Sequence, residues 1–548
     1  MRPARAIALS WGLLVLVAAA VTSPAVGISR DEGVYVEAAG SYARFWPEAL
    51  RNPAGALAAA DRFYGPNHEH PGFAKGLFAI TRTVLSRALG LTGEVQGARA
   101  GAWLLAAFLA MLLALWGFEL AGPWGGGLAP ALFFLVPRNA WHAHPAALDL
   151  PVTSLMLATT YAFWRSTSAS RGRLSTAGWA VASGLLLGAA LGTKHNAFFL
   201  PPLLFAAWLL GSFRGRQESH GPASEGAIGT VRGHRFPWAL VAMALLGPAV
   251  LVATWPWLWH HTVPRIQAWL GFHLRHENYP WMYFGSLMRE PPFPISYPFV
   301  VTALTVPAAI LMAMLGGVVQ SVARIVAAVR GRAPQVSIPT EWLLLLSALF
   351  PIALVAWPTV PHFGGVKHWM PAMPFLALLG ARALVRTGRL LWPRRPGAVI
   401  GALAALAFAP AAWQVAHVHP FGTAAWNELA GGAAGAATMG MQRQFWGDST
   451  VAVLPALNVH AAPRSRIWFQ ETPALAARQY QRDGRLRGDL LVAAGPEDAD
   501  ISIWQYHQEF RDREFRTWTE LRTARPVAGA YLDEVPLVQV YARPGFWR

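Results

Sequence analysis

The chain contains no cysteine and few charged residues. Of its 548 residues only 13% are Asp, Glu, Lys or Arg, whereas soluble proteins average about 25%. Without cysteine, disulfides, thiolate catalysis and Cys-ligated zinc are all excluded. The scarcity of charge, together with 54% hydrophobic residues, excludes an ordinary cytosolic enzyme. The 26 Trp and 28 Phe also exclude a disordered chain, which lacks such apolar material.

Repeated apolar stretches predict a polytopic α-helical membrane protein, because about 20 apolar residues suffice to cross a bilayer as a helix. The first stretch is longer than the core of a typical secretory signal, so we interpret it as a retained span. About eleven spans are predicted: Ala6 to about Val26, Ala98–Leu120, Leu128–Pro137, Leu148–Trp164, Ala177–Leu191, Ala197–Leu210, Pro237–Trp255, Pro298–Gln320, Trp342–Trp357, Trp369–Leu384 and Ala398–Ala416.

The arginines predict which side of the membrane each connection occupies. If the N-terminus is cytoplasmic, four Arg-dense connections fall on the cytoplasmic side, as the positive-inside rule requires. The short third span is needed for this agreement. The long first loop, 28–97, and the tail from 416 onward then lie outside. The four cytoplasmic connections are Arg165–Arg173, Arg214–Arg235, Arg324–Arg332 and Arg382–Arg395.

The net charge of +17 raises the question of a nucleic-acid partner. Residues 416–548 carry 14 basic and 14 acidic side chains, so the whole excess lies in the membrane part. Most of it belongs to the predicted cytoplasmic connections. The charge is therefore mainly a topology signal, and no nucleic-acid partner is expected.

The tail differs from the rest of the chain in its pattern. Short alternating segments and amphipathic stretches predict a small α/β domain at 416–548, beside a membrane domain at 1–415. The predicted strands are Thr450–Leu454, Asp489–Ala493, Ile501–Trp504 and Leu537–Tyr541, and the predicted helices are Thr472–Tyr480 and Gln508–Leu521.

The first outer loop carries the acids of greatest interest. Asp31 and Glu32 follow directly on the first span. They have a structural alternative, in which Ser29 or Asp31 caps a helix and the acids favour its positive end. Farther along come Glu69 and His70, ahead of an interfacial helical stretch that contains Lys75.

A metal site in this loop is a weaker interpretation. His68, Glu69 and His70 are adjacent, and neighbours on one loop rarely supply a complete tetrahedral set. We therefore predict no resident metal. Convergence of these residues with His276 leaves a divalent cation open as an alternative.

Further polar residues fall on the same outer side: Arg138, Asp149, Lys194, His273, His276 and Lys367. Asp149 has an alternative role as a helix cap, and the histidines and Lys367 as interfacial anchors. The spans themselves carry almost no internal charge. A transporter or channel is expected to place ionisable groups near mid-bilayer. Collection at one interface therefore favours an enzyme that takes one substrate from the bilayer and another from water.

An ordered series of short motifs resembles the bacterial branch of glycosyltransferase family 39, which includes protein O-mannosyltransferases and lipid A aminoarabinose transferases. The resemblance covers about residues 1–415, and Asn427–Leu429 and Gln444–Gly447 resemble the start of the tail domain in some members. The motifs are Asp31-Glu32, Glu69-His70-Pro71, Ala147–Pro151, Gly192-Thr193-Lys194 and the His273–Trp281 loop. Aminoarabinose transferases have Glu-Lys-Pro-Pro at the second motif, so His70 and Gly72 depart from that relative.

The resemblance implies the GT-C fold and a membrane enzyme of the bacterial inner membrane, with its C-terminal domain in the periplasm. It implies inverting transfer of a sugar from a polyprenyl-phosphate carrier to an acceptor hydroxyl on a lipid, glycan or protein. Asp31 matches the catalytic acid and Glu32 its neighbour, and a carboxylate suits a general base. Cations are expected to stabilise the phosphate leaving group; the candidates are Arg138, Lys194, His70, Lys75 and His276. Glu69 and Asp149 match acidic positions that hold the carrier phosphate indirectly or bind sugar hydroxyls.

Two other classes remain open from the residues alone. A lipid or polysaccharide transporter would move its substrate without making a bond. A non-catalytic membrane scaffold would tolerate replacement of Asp31 and Glu32.

Overall fold

The computed structural model describes residues 2–167, 173–215, 236–275, 277–332, 337–361 and 363–548. Helices dominate the membrane part. They are α1 Arg2–Thr22, α2 Arg30–Arg51, α3 Ala56–Tyr64, α4 Phe73–Arg82, α5 Glu94–Phe134, α6 Pro137–His142, α7 Asp149–Thr167, α8 Arg173–Leu191, α9 Leu200–Gly215, α10 Trp238–Thr254, α11 Thr262–Leu274, α12 Tyr297–Thr305, α13 Ala308–Val329, α14 Ile338–Val355, α15 Met373–Leu391 and α16 Pro396–Val418. A two-stranded hairpin, β1 Trp281–Tyr283 and β2 Ser286–Met288, interrupts the loop after α11.

Among the described residues, six helical segments are long and apolar enough to cross a membrane. Every predicted span contains helix, which confirms a multi-pass helical protein, while the number eleven stays a prediction. The six segments are Arg2–Ala25, Glu94–Phe134, Leu174–Leu191, Ala308–Val329, Ile338–Val355 and Pro396–Val418, and Trp238–Thr254 is a shorter apolar helix.

Helix α5 contains a sharp reversal rather than one continuous rod. Gly122 has φ 74° and ψ −163°, outside the helical region. After it the chain returns along itself, so that a Cβ on Gly117 would lie 2.4 Å from the carbonyl oxygen of Gly125. Only glycines allow two helical backbones to approach this closely. The reversal places the predicted second and third spans on separate antiparallel arms, as the charge-based topology requires.

Two details of the predicted spans are wrong. The stretch Pro298–Gln320 is two helices, α12 and α13, because Pro307 follows a break at Val306 and lacks the N–H that a continuous helix needs. The stretch Arg382–Arg395 is not a loop throughout, since α15 continues to Leu391.

Arg382 itself is buried in a cluster of charges between three helices. Its guanidinium donates to both carboxylate oxygens of Glu341 on α14, at 2.8 and 2.6 Å. Arg324 and Ser321 on α13 donate to the same carboxylate, at 2.7 and 2.6 Å. Both oxygens of the Glu341 carboxylate are paired, so this buried cluster of charges connects α13, α14 and α15.

The tail forms a mixed five-stranded sheet with helices, as predicted for a small α/β domain. The strand order is β4-β3-β5-β7-β6, with β3 parallel to β4 and β5, and β7 antiparallel to β5 and β6. The strands are β3 Arg466–Phe469, β4 Leu491–Val492, β5 Ile501–Gln505, β6 Ala528–Leu532 and β7 Val535–Ala542, and the helices are α17 Gly432–Thr438, α18 Leu454–His460, α19 Ala474–Arg482 and α20 Arg511–Leu521.

Three predicted strands and both predicted helices of the tail are confirmed within a few residues. The predicted strand Thr450–Leu454 is wrong, because Asp448–Val453 form a 3-10 helix that leads into α18. This apolar segment is buried under the sheet, and periodicity alone does not separate a short buried helix from a strand.

The tail packs closely on the segment between α1 and α2. A Cβ on Gly27 would lie 1.8 Å from the carbonyl oxygen of Asp448, so a larger residue would push the tail away. The hydroxyl of Tyr480 accepts the Ile28 N–H at 2.6 Å, and Gln479 donates to the Gly33 carbonyl at 2.9 Å. The tail is therefore seated directly above the start of α2, where Asp31 lies.

Candidate active site

Asp31 lies in the first turn of α2. Ser29 is the N-cap of this helix, and Asp31 and Glu32 both lie in its first turn, where acids are favourable at the positive helix end. The structural alternative therefore holds for Ser29 as the cap and for both acids as first-turn residues. Asp31 Oδ2 is 3.4 Å from Nζ of Lys367. The Asp31 side chain keeps 34% of its exposure, whereas Lys367 keeps 7%. Asp31 is thus a carboxylate paired with a buried cation and still open to a substrate.

Lys367 is held on the loop between α14 and α15 by two glycines. Gly364 and Gly365 both have positive φ, 91° and 64°, a conformation that suits glycine. A Cβ on Gly364 would lie 2.6 Å from Cε of Lys367. The Lys367 ammonium also lies 4.3 Å from the centre of the Trp446 ring, which belongs to the tail. The lysine is therefore fixed by its own loop on one side and by the tail on the other.

Glu32, unlike its neighbour Asp31, is closed off from solvent. Its side chain is fully buried, and Arg99 on α5 pairs with both carboxylate oxygens at 2.7 and 2.8 Å. The N–H groups of Ala146 and Ser29 donate to the same carboxylate at 2.7 and 3.3 Å. Arg99 in turn donates to the Gly27 carbonyl at 2.7 Å. No oxygen of Glu32 is left for a substrate, so the structure favours a positioning role for it over a catalytic one.

Asp149 begins α7, where a carboxylate is favourable at the positive helix end. It also pairs with Lys194, which follows α8, at 2.5 Å. The Asp149 side chain is 5% exposed and the Lys194 side chain 14%. The predicted helix cap and the predicted site residue are thus compatible, because the same carboxylate stands at a helix start and holds a cation of the site.

Lys75 serves the first loop rather than a ligand. Its ammonium donates to the backbone carbonyl of Asn67 at 2.8 Å, to Oδ1 of Asn67 at 2.9 Å and to the carbonyl of His70 at 2.8 Å. All three N–H groups are used and the side chain is fully buried. Burial lowers the pKa of Lys75 to about 7. Lys75 therefore braces the loop that presents Glu69 and His70, and its predicted contact with a phosphate stays a prediction.

His70 is a neutral group. Burial lowers its pKa well below the usual value, and nearby Lys75 and Lys194 lower it further. Its ring packs edge-on against Tyr35, one turn after Asp31 on α2, with 5.5 Å between ring centres. Gly72 replaces the second proline of the related motif, and a Cβ there would lie 2.9 Å from the Thr254 carbonyl. This environment favours a role for His70 in hydrogen bonding over one as a cation; its contact with the substrate stays a prediction.

The histidine cluster continues on α11 and after α8. The rings of His195 and His273 stack at 3.8 Å between centres, and His273 Nε2 lies 3.0 Å from the Glu69 carbonyl. Glu69 accepts a hydrogen bond from the Asn67 amide at 2.6 Å. His276 lies outside the described residues. Within the described part of the chain, no group of three His, Asp or Glu side chains is arranged to hold a metal.

Arg138 on α6 is buried without a carboxylate partner among the described residues. Its Nε donates to the Ala425 carbonyl at 3.0 Å, and its guanidinium lies over the rings of Trp426 and Phe445, at 4.7 and 5.4 Å. Burial lowers the pKa of Arg138 to about 10. One terminal guanidinium nitrogen, Nη2, is buried with no hydrogen-bond partner.

Arg138 lines a small pocket between the membrane domain and the tail. The other lining residues are His142, Gly364, Val366, Thr423, Phe445 and Trp446. His142 also has a buried nitrogen, Nδ1, without a partner. Lys367, Lys194, Asp149 and Arg138 all act on His142 electrostatically, which places this pocket beside the two ion pairs.

A second, mainly apolar groove also comes near the ion pairs. Burial lowers the pKa of its residue His368 well below the usual value, and Lys367 and Lys194 contribute to this shift. The groove therefore runs from apolar side chains to a polar end near Lys194. It is lined by Met156, Asn196, Phe199, Leu200, Leu203, Phe350, Pro351, Leu354, His368 and Pro371.

The fold thus brings most of the predicted site residues together at one face. The chain has only three lysines, Lys75, Lys194 and Lys367, and all three are buried or nearly buried there. That scarcity is a signal that could have singled them out. Sequence reasoning missed the site roles of Tyr35, four positions after Asp31, and of Trp446, whose approach depends on the tail.

Two solved structures of ArnT share this arrangement of helices and tail. The chain superposes on ArnT from Cupriavidus metallidurans bound to undecaprenyl phosphate with a TM-score of 0.53 at 14% identity, covering 98% of this chain and 97% of that one. This is the GT-C fold. The apo form of ArnT gives a TM-score of 0.52 at 14% identity, covering 97% and 98%. The archaeal oligosaccharyltransferase AglB from Archaeoglobus fulgidus, in complex with an inhibitory peptide and a dolichol-phosphate, gives 0.47 at 12% identity, covering 92% and 70%.

Residues 86–224 of this GT-C protein match the family described as dolichyl-phosphate-mannose-protein mannosyltransferase. The match includes α5 to α9, and with them Arg138, Asp149 and Lys194. It confirms the resemblance carried by the motifs and indicates glycosyltransferase activity. No curated protein sequence matches the chain significantly.

Proposed function

We propose that this GT-C protein transfers a sugar from a polyprenyl-phosphate carrier to an acceptor hydroxyl, with inversion at the anomeric carbon and Asp31 as general base. One observation carries the proposal. Three acids form salt bridges with the buried cations Arg99, Lys194 and Lys367; of these, Glu32 and Asp149 are closed in, at 0% and 5% exposure, while Asp31 keeps 34%. Of these three carboxylates, Asp31 is therefore the one that an incoming hydroxyl can reach.

In the proposed reaction the acceptor hydroxyl attacks the anomeric carbon from the face opposite the phosphate. The new carbon–oxygen bond forms as the bond to the phosphate oxygen breaks, and its electron pair leaves with the polyprenyl phosphate. The hydroxyl proton passes to Asp31, the usual role of a positioned carboxylate. Lys367 holds Asp31 in place from 3.4 Å.

The apolar groove supports a lipid-linked donor. Its walls on α7, α9 and α14 are apolar and its far end carries Asn196 and His368, close to Lys194. A polyprenyl chain would lie along the walls, with its phosphate at the Lys194 end, where cations stabilise the charge that develops on the leaving oxygen. Solved ArnT bound to undecaprenyl phosphate has the same fold. Glu69, His70 and His273 would face the sugar and exchange hydrogen bonds with its hydroxyls.

The proposed location is the bacterial inner membrane, with the N-terminus in the cytoplasm and the tail in the periplasm. The distribution of arginine supports this orientation. Acceptors that fit are a lipid, a glycan or a protein hydroxyl on the outer face.

The test is sugar transfer by the full chain in sealed liposomes that contain undecaprenyl-phosphate-linked sugars, with extracts of envelope lipid, glycan and protein supplied outside. We expect labelled sugar to appear in covalent linkage to one acceptor fraction, together with free undecaprenyl phosphate. Movement of the lipid-linked sugar across the bilayer with no new bond would instead establish a transporter. Neither bond formation nor movement with any donor would favour the scaffold interpretation.

A further inference from the structure

The Arg138 pocket is unexplained by the donor site. Arg138 is 2% exposed, and a buried cation without an opposite charge lowers the stability of the folded protein. Its described contacts are one carbonyl and two aromatic faces. These contacts leave the guanidinium nitrogen Nη2 without an acceptor. A bound anion would neutralise the Arg138 charge and accept a hydrogen bond from this nitrogen.

A second residue with a buried, unpartnered nitrogen lines the same pocket. His142 is 5% exposed, lines the pocket with Arg138, and has Nδ1 without a partner. The Thr423 hydroxyl stands at the wall as well, although it donates to Asp448 at 3.1 Å. Two residues of α6 that each keep an unpartnered nitrogen, one of them cationic, thus line one small cavity. This combination suits a compact anion, because the guanidinium fork matches the oxygens of phosphate and carboxylate.

The pocket is separate from the groove assigned to the donor. The two share no lining residue. Both cavities lie near the ion pairs, because Lys367, Lys194 and Asp149 act electrostatically on His142 of the pocket and on His368 of the groove. A ligand in the Arg138 pocket and a donor in the groove would therefore both lie near the ion pairs while contacting different walls.

The tail forms one wall of the pocket. Phe445 and Trp446 line it, and Trp446 also covers Lys367 at 4.3 Å. Trp446 has a positive φ of 69°, an unusual conformation for a bulky residue. Its carbonyl accepts the Arg30 N–H at 2.8 Å, next to Asp31. One tryptophan thus separates the pocket from the proposed base.

From these observations, and resting on the proposed function, we infer that Arg138 and His142 form a second anion-binding site, which takes a phosphate or carboxylate group of the acceptor. The anion neutralises Arg138 and anchors the acceptor on the tail side of Asp31. The pocket is too small for a sugar, so it binds the charged group and leaves the acceptor hydroxyl to extend toward Asp31.

The test measures anion binding without turnover, so its failure is distinct from failure of sugar transfer. The full chain in phosphatidylcholine nanodiscs is titrated calorimetrically with inorganic phosphate and, separately, with acetate, with and without saturating undecaprenyl phosphate. We expect one or both small anions to bind, with a Kd that undecaprenyl phosphate changes by less than about twofold. Displacement by undecaprenyl phosphate would assign the pocket to the donor and overturn the inference, as would absence of binding by both anions.

Arg138→Met and Lys194→Met provide a matched pair. Loss of a charged hydrogen-bonded contact weakens binding by about tenfold or more, so Arg138→Met should weaken the small anion by this factor and leave undecaprenyl phosphate unchanged. Lys194→Met should show the reverse. Because Arg138→Met also removes an uncompensated buried charge, its Tm should equal or exceed that of the unaltered protein.

Arg138→Lys is a second variant that retains the charge and loses the fork. It should bind the small anion with intermediate affinity. If the methionine variant does not fold, the anion affinity of the lysine variant can still be measured. Anion binding that neither substitution changes would overturn the inference.

Discussion

Nζ of Lys367 lies 3.4 Å from Oδ2 of Asp31, across 336 positions of the chain. Lys367 is nearly buried and Asp31 is not. The pair therefore offers an oriented carboxylate to one side only, which is the arrangement that a general base for an incoming hydroxyl requires.

Replacing Asp31 with Asn should remove the base and keep the shape. We expect sugar transfer to fall by about 10²- to 10⁴-fold, the usual contribution of a positioned general base, with the Tm retained. The measurement is the initial rate in liposomes at equal protein. Asp61→Asn, in the same outer loop but paired with Arg265 and His260, is the matched control and should keep its rate. Normal transfer by Asp31→Asn would remove Asp31 from the mechanism.

Glu32→Gln separates a positioning residue from a catalytic one. Breaking a fully buried ion pair leaves the Arg99 charge uncompensated and should cost about 3–5 kcal/mol of stability. The expected result is a markedly lower Tm and less folded protein. Glu48→Gln, which breaks an exposed pair with Arg62, is the control and should cost less than about 1 kcal/mol. If Glu32→Gln were to keep its Tm and lose turnover, a catalytic role would be established instead.

Trp446 should affect turnover as well as folding, because its ring is buried with Val26, Trp141 and Phe445. Its ring lies over the Lys367 ammonium, and a desolvated cation–π contact contributes about 2 kcal/mol. Trp446→Ala should therefore lower kcat by about tenfold or more while the KM for the lipid-linked donor stays within about twofold.

Two further variants check this expectation for Trp446. Trp446→Phe should recover part of the rate, because a phenyl ring keeps a weaker cation–π face. Trp413→Ala removes an exposed tryptophan on α16. This control should leave both kcat and the donor KM unchanged. A raised donor KM with unchanged kcat would contradict the positioning role of Trp446.

Asp448 predicts a pH dependence of stability. It is buried between the tail and α6, accepts hydrogen bonds from Trp141 and Thr423, and has a pKa raised to about 7 by burial. Between about pH 4 and pH 7 the folded state holds a proton that the unfolded state releases, so stability falls as pH rises. The loss approaches about 4 kcal/mol and is complete above pH 7.

Asp448→Asn should abolish this contribution, because its amide can accept from Trp141 and donate to Thr423 without carrying charge. The variant is expected to match the unaltered protein in Tm near pH 4 and to exceed it at pH 8. Melting curves at fixed scan rate across this range measure the difference, with the exposed Asp498→Asn as a control for buffer effects. A Tm difference that does not change with pH would contradict the assignment.

The sequence alone determined the membrane fold, the small α/β tail and the face on which the acids and cations gather. These features depend on local patterns: apolar stretches long enough to cross a bilayer, arginine asymmetry between connections, and acids directly after a span. Sequence also placed Asp31, Asp149 and Lys194 at one face, since each stands at the end of a predicted span.

Only the tertiary structure decided what each of these groups can do. Lys367, Arg99 and Trp446 reach the first loop from distant parts of the chain, and long-range packing of this kind leaves no periodic signal. Burial lowers the pKa of His70. Hydrogen bonds occupy the donors of Lys75 and the oxygens of Glu32, whereas one nitrogen of Arg138 keeps no partner. The cost of removing a polar group from water depends on its neighbours in space, and those neighbours are set by the fold.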